Sequence, residues 1–342
     1  MRFAVGMGRN LRIDEVADHS RLAEKAGFDY LTFVDIPLLN RDVYVMMGIA
    51  ALNTKHILIG HGVTDPYTWH PSVIANSTAT VNEMSGGRTF VGIGVGGLWG
   101  KVMNPQPLKD FRQVVNFIRE YSSGNPAEWK GATMHSEWIK NPMRIYMACG
   151  GPKSLQLGGE IADGVILTSN ADPVTMKWRL EQIEKGAEKA GRDPNDIDVW
   201  ARGMIYVTDQ NEDQKARQQV CGYAVNGAIE VIRLLNRKSP EVEELRKRME
   251  KAAPGLIDQC QKVYDAFDPK WLEHVDAPAA NLITDDILRA QQFLGKPEDI
   301  CEHIEQLRQI GIKTIGTVTY TITDKKGMME QISRKIMPHF RN

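Results

Sequence analysis

The chain of 342 residues is 42% hydrophobic and sets 42 basic against 43 acidic side chains, for a formal net charge of −1, the composition of an ordinary globular protein. This excludes a basic footprint for nucleic acid, and no apolar run reaches the roughly 20 residues that span a bilayer. The N-terminus MRFAVGMGRN enters a strand pattern without a signal-like hydrophobic block, so a cytoplasmic protein is expected.

Phe3–Met7 is a short apolar run, after which Ile13, Val16, Ala17, Ala23 and Ala26 recur at helical spacing, with Asp14 and Glu15 early and Gly27 just past the end. Tyr30–Val34 is a continuous apolar and β-branched run, as in a strand covered on both faces. Asp35 stands at its C-terminal end. The unit repeats: a helix over about 41–52, a strand at Ile57–Gly60, a helix over about 72–84 closed by Gly86-Gly87, and a strand at Thr89–Ile93. Further strands are read at Arg144–Ala148, Gly164–Thr168, Val199–Val207 and Thr314–Val318, with helices around 154–161, 173–190, 297–310 and 325–336. Strands alternating with helices in this number predict a (β/α)8 TIM barrel, with a doubly wound sheet as the alternative.

A barrel takes about 250 residues, and two intervals supply the excess, so the whole of 1–342 is read as one domain with insertions. The first, about 97–142, carries a helix at Phe111–Tyr121 and a segment Trp129–Trp138 that is expected to fold over the top of the sheet. The second, about 209–295, is read as a charged helical insertion between the seventh and eighth strands, either a solvated face or a substrate cover. Cys149, Cys221, Cys260 and Cys301 are widely separated and form no C-x-x-C or Cys/His cluster, so neither disulfides nor a metal site are expected.

Several glycine-rich turns carry the candidate chemistry. Gly92-Ile-Gly-Val-Gly-Gly97 follows a strand, but 98–107 contains two prolines and no helical pattern; a dinucleotide fingerprint should open directly into a helix. A backbone suited to close approach of a flat ligand is what remains. Cys149-Gly150-Gly151-Pro152-Lys153-Ser154 joins a strand to a helix; its free amides and Lys153 would hold a phosphate, a plain structural turn being the other reading. Gly60-His61-Gly62-Val63-Thr64-Asp65-Pro66 brings an imidazole and a carboxylate to the end of the third strand, though no triad partner stands near either.

Five segments, AEKAGFDYLTFVD (23–35), NRDVYVMMGIAAL (40–52), residues 62–97, GGPKSLQLGGEIADGVILTS (150–169) and GKPEDICEHIEQLRQIGIKTIG (295–316), together resemble the luciferase-like superfamily of flavin- and F420-dependent oxidoreductases, closest to its methylenetetrahydromethanopterin reductase branch. The resemblance implies a cofactor, F420 or alternatively FMN, at the strand C-terminal ends, a non-prolyl cis peptide at Gly62-Val63 backing its ring, Thr64, Val95 and Gly96 beside the ring, and Ala148, Cys149, Gly150 and Gly151 near the phosphate, with Thr168 at the neighbouring strand end. It also implies a homodimer or larger homo-oligomer formed through the second and third helices. Hydride transfer to or from a small organic substrate is the activity implied, with an FMN-dependent monooxygenase and a non-catalytic flavin-binding paralogue as alternatives. Asp35 is the first candidate for hydrogen bonding or proton transfer, followed by His61, Asp65 and His70; Trp69 and Trp99 would line the substrate space. Gly6, Ile36 and Gly97 stand where relatives carry polar side chains, and a different or more apolar substrate is expected for that reason.

Overall fold

A computed structural model describes residues 1–8, 11–37, 39–96, 106–167, 171–208, 214–268 and 278–341. Eight parallel strands close into a barrel: β1 (Arg2–Met7), β2 (Tyr30–Phe33), β3 (Leu58–His61), β4 (Thr89–Ile93), β5 (Arg144–Ala148), β6 (Gly164–Leu167), β7 (Asp198–Arg202) and β8 (Thr314–Val318). Each pairs with its neighbours in chain order, and β8 returns to β1 in a register running from Arg2↔Thr314 to Gly6↔Val318. The fold is a (β/α)8 TIM barrel, with the strand C-terminal ends forming one mouth.

The helices between the strands are α1 (Val16–Lys25), α2 (Val43–Asn53), α3 (Pro71–Ser85), α4 (Leu108–Ser122), α5 (Pro152–Ile161) and α6 (Pro173–Lys189). Their ends are marked by local chemistry. Proline opens α3, α5 and α6, where a missing N–H costs nothing, and Gly86 closes α3 in the left-handed region at φ 71°. Most of the apolar core lies between this helical layer and the outer barrel face.

Inside the barrel, Ala4, Tyr30, Phe90, Tyr146, Ile166 and Trp200 form a separate packed cluster. At its N-terminal end the buried Asp198 carboxylate accepts from the Tyr30 and Tyr146 hydroxyls and the Trp200 indole, each at 3.0 Å, and from Thr314 at 2.9 Å. Arg2 adds an ion pair at 2.7 Å. A buried charge needs this density of donors, and it closes the barrel opposite the mouth.

The long seventh strand read from the sequence is two strands. At Gly203 the chain leaves the barrel, and Ile205–Val207 pairs instead with Phe293–Gly295. Close packing requires glycine at that point, since a Cβ at Gly203 would lie 2.8 Å from the Gln291 carbonyl. In the first insertion, Ala127–Trp129 and Ala132–Met134 form an antiparallel hairpin, and Trp129 packs on Phe117 of α4 and His70 at the start of α3. Trp129 thus seats the hairpin on the helical layer, not over the sheet, while Trp138 at the end of the segment is exposed. In the second, α7 (Gln214–Leu235) is largely buried, whereas the charged α8 (Pro240–Ala252) buries only Val242, Leu245 and Met249. Then come α9 (Leu256–Asp265) and α10 (Asp285–Gln291), and the chain ends with α11 (Pro297–Gln309) and α12 (Lys325–Gln331) flanking β8. Among the described residues no helix is long and apolar enough to cross a membrane.

Candidate active site at the barrel mouth

The segment after β3 is stitched into both neighbouring strands. Gly62 N–H donates to the Phe33 carbonyl, Thr64 N–H to Gly92, and Gly94 N–H back to Thr64. The Gly62-Val63 peptide between these anchors is cis. Val63, Val95, Gly96 and Ala148 are half-buried where the strands beneath them are buried, and a Cβ at Gly94 would meet Val63 at 3.4 Å and Ala148 at 3.6 Å. Among the described residues, small and apolar groups thus form a half-buried floor at the mouth. Gly96, at φ 76°, lies in the left-handed region that favours glycine.

Asp35 lies beside it, 4% exposed, and its Oδ2 accepts a 2.5 Å hydrogen bond from the Thr64 hydroxyl. Burial raises its carboxyl to a pKa of about 6; the Thr64 bond and a weaker contribution from the Trp69 indole oppose that rise, while Asp65 and Asp42 add to it. Trp69 packs edge-on to Tyr44 at 5.6 Å. Asp65 turns its Oδ1 to the amides of Tyr67 and Thr68 at 2.8 and 3.1 Å, where it shapes the loop. His70 is the N-cap of α3, its Nδ1 accepting from the Ser72 amide.

His61 is placed differently from the sequence expectation. Its ring is fully buried against Tyr44 at 5.3 Å, on the helical side of β3, with neither ring nitrogen hydrogen-bonded. Burial alone lowers its pKa to about 3, so it stays neutral and out of reach of the mouth. The reason is strand alternation: Gly60 and Gly62 face inward, so residue 61 faces out. Thr168, Trp99 and Gly97 lie outside the described residues.

Sequence reasoning missed the group at the centre of the mouth. Arg202, the last residue of β7, is 7% exposed; Nη1 donates to the Gly62 carbonyl at 3.1 Å and Nη2 to the Tyr320 hydroxyl at 2.9 Å. The space comes from glycines, since a Cβ on Gly6 would lie 2.9 Å from Nη2 and one on Gly316 would lie 3.3 Å from Cγ. Gly6 therefore does not leave the mouth apolar; it admits a guanidinium from β7, two strands away round the barrel. An arginine at the end of a strand beside Gly203 was the available signal, but nothing in the sequence pairs it with Gly6.

The turn before α5 forms a second polar region. Ser154 Oγ accepts from the Gly150 and Gly151 amides at 3.3 and 3.1 Å, so the helix start presents the Lys153 and Ser154 amides, which have no intrahelical partner. Lys153 is exposed. Cys149 turns its thiol towards Gly158, and burial raises its pKa to about 12, so only its backbone borders this turn. A Cβ on Gly151 would lie 2.9 Å from the Arg237 guanidinium carbon, and one on Gly150 would lie 3.9 Å from Glu230 Oε2. Both side chains come from the second insertion, which thereby borders the mouth at this end.

The family model described as "Luciferase-like monooxygenase" matches residues 1–314. The 5,10-methylenetetrahydromethanopterin reductase of Archaeoglobus fulgidus is 29% identical, over 99% of both chains. That of Methanolobus tindarius is 30% identical, over 94% of this chain and 95% of its own. The solved structure of the coenzyme F420-dependent tetrahydromethanopterin reductase from Methanopyrus kandleri superposes with a TM-score of 0.79 at 24% identity, covering 99% of both.

Proposed function

The chain belongs to the luciferase-like monooxygenase family, and from that premise we propose that it is an F420-dependent oxidoreductase acting on a small organic substrate. The observation that carries this reading is the small, apolar, half-buried floor of Val63, Val95 and Ala148 packed around Gly94, which fits a flat ring, with the α5 start within the same mouth for a phosphate. The name of the F420-dependent reductase from Methanopyrus kandleri favours F420 over FMN. Bound F420 supplies hydride chemistry at its C5 carbon.

The residues of this chain bind, orient and exclude water. Val63 supports one face of the ring. The Lys153 and Ser154 amides, with the Lys153 side chain, receive the phosphate end beside the Gly150-Gly151 turn, whose own amides are held by Ser154 Oγ. Asp35, with a pKa near 6, holds or moves a proton at Oδ2 through Thr64, and Trp69 bounds the substrate space. Arg202 fixes the Gly62 carbonyl and sets a permanent positive charge under the substrate, which favours one bearing an anionic or strongly polarised oxygen.

The barrel with its insertions is proposed to act as one domain, and the protein as a homo-oligomer joined through α2 and α3. The α2 segment VYVMMGIAALN has no charged residue, yet Val45 is 53% and Leu52 70% exposed.

Parallel titration of the purified protein with F420 and FMN, followed by fluorescence quenching, tests the reading. Micromolar binding of F420 and weaker binding of FMN is expected. Oxygen-dependent turnover with reduced FMN and none with F420 would establish the monooxygenase alternative. Binding without turnover across a broad substrate screen would establish the non-catalytic one.

A further inference from the structure

Arg179 on α6 is 2% exposed, and its Nε and Nη1 have no hydrogen-bond partner. A buried cation without such partners is costly. The nearest opposing charges are Glu230, which pairs with Arg233 at 3.3 Å, and Asp172, which caps the Val174 and Thr175 amides of α6.

Helical register shows where this guanidinium lies. The parallel helices α5 and α6 are in near backbone contact: a Cβ on Gly186 would lie 1.9 Å from the Gln156 carbonyl, and one on Gly159 would lie 2.0 Å from that of Ile183. Gln156 donates to Gln182 at 3.2 Å. One turn nearer the N-termini, Pro152 and Lys153 face Arg179, and helical side chains lean in that direction. Glu230 confirms the placement, since it is the largest opposing charge on Arg179 and also borders Gly150. The α5 start therefore has Lys153 and Arg237 beside it and, through Glu230, Arg179 and Arg233, while Glu230, Asp172 and Glu241 are the carboxylates acting on these cations.

We propose that Arg179 is a phosphate-binding residue of this site, a buried cation on the α5–α6 seam whose missing hydrogen-bond partner is the phosphate of the bound cofactor. The inference deepens the F420 reading and rests on it for the identity of the ligand, though not for its chemistry. A phosphodiester oxygen at the α5 start would receive the helix amides from one side and the guanidinium from beneath.

The test compares F420 with the same deazaflavin truncated at its ribityl alcohol, which lacks the phosphate and tail, on wild type, Arg179→Met and Arg179→Lys. Wild type is expected to bind F420 about tenfold or more tightly than the truncated compound. Arg179→Met should remove that margin without changing affinity for the truncated compound, and Arg179→Lys should restore part of it. Without ligand, the Met variant should melt at or above the wild-type temperature, because an unpartnered buried charge has been removed. Equal weakening of both ligands with a lowered melting temperature, or unchanged F420 affinity, would overturn the proposal. Should wild type bind neither deazaflavin, the cofactor reading fails and inorganic phosphate decides this one: a rise in melting temperature seen in wild type and lost in Arg179→Met supports it, and equal or absent shifts refute it.

Discussion

The Arg202 guanidinium reaches across the barrel to the Gly62 carbonyl at 3.1 Å, so the end of β7 fixes the backbone on which Val63 is presented. Its other end is fixed by Tyr320, and the side chain cannot swing away from β1 without losing a buried hydrogen bond. Adding a methyl at Gly6 therefore has a definite consequence. The new Cβ would press on Nη2 at 2.9 Å and on Thr32 and Val318 at 3.2 Å. Gly6→Ala should cost about 1–3 kcal/mol of stability, as overpacking does, and weaken cofactor binding through the displaced Gly62 segment. Combining it with Arg202→Met should recover stability but not binding. Chemical denaturation of the single and double variants decides the point, and no loss in the single variant would show that the guanidinium is not held as described.

Asp35 offers a pH test with a definite sign. Its folded pKa, about 6, lies above its ordinary value of 3.8, so between those pH values the folded state binds more protons than the unfolded one. This group's contribution to stability falls as pH rises through that window, by up to ~3 kcal/mol for full ionisation. Asp35→Asn, which still accepts from Thr64, should match wild type near pH 4 and be more stable at pH 8. Turnover should fall in the same variant, and any limb of the pH–rate profile near 6 should vanish. Denaturation curves at the two pH values suffice; a variant less stable at pH 8 would contradict the assignment.

The barrel was legible because its signals are local. Buried parallel strands read as runs such as Tyr30–Val34, and proline and glycine mark the helix ends. The Gly150-Gly151 turn could be singled out because a strand-to-helix turn with proline at the helix start leaves amides free for an anion, whereas Gly62 and Val63 were picked out through the family resemblance. What escaped depends on pairs distant in sequence. Gly6 reads as a missing polar group until Arg202, 196 positions later (202 − 6), is seen to fill the space. Arg179 and Arg237 carry no signal of their own in the sequence, yet the first is buried on α6 and the second lies against Gly151. His61 failed in the opposite way, since its sequence neighbours point to the mouth while strand alternation turns its ring outward.

The Asp198 cluster should carry stability and little function. One carboxylate there accepts from Tyr30, Tyr146, Trp200 and Thr314 and pairs with Arg2. Asp198→Ala leaves those donors facing each other in an apolar barrel, and about 3–5 kcal/mol should be lost, the usual cost of removing one partner from a buried pair. Where the variant remains folded, at low temperature, its F420 affinity should be within a factor of a few of wild type, because the mouth lies at the other end of the strands. A large loss of affinity in protein shown to be folded would mean that the two ends of the barrel are coupled.

The outer face of α2 and α3 should be an interface between copies of this chain. Val45, Ile49 and Leu52 follow one stripe of α2, and Val73 and Met84 lie on α3; Met84 reaches Gly48, where a Cβ would meet its methyl at 3.4 Å, so the two stripes are continuous. Leu52 at 70% exposure is an isolated cost on a monomer, but as part of a contiguous apolar patch it marks a contact surface. Val45→Glu with Leu52→Glu places charge in that patch without touching the core, since both side chains point to solvent in the single chain. Light scattering after size exclusion should give a multiple of the 38.4 kDa chain mass for wild type and the chain mass itself for the double variant. Circular dichroism should remain unchanged. A wild-type protein of single-chain mass, or a variant that keeps the wild-type mass, would remove this face from consideration.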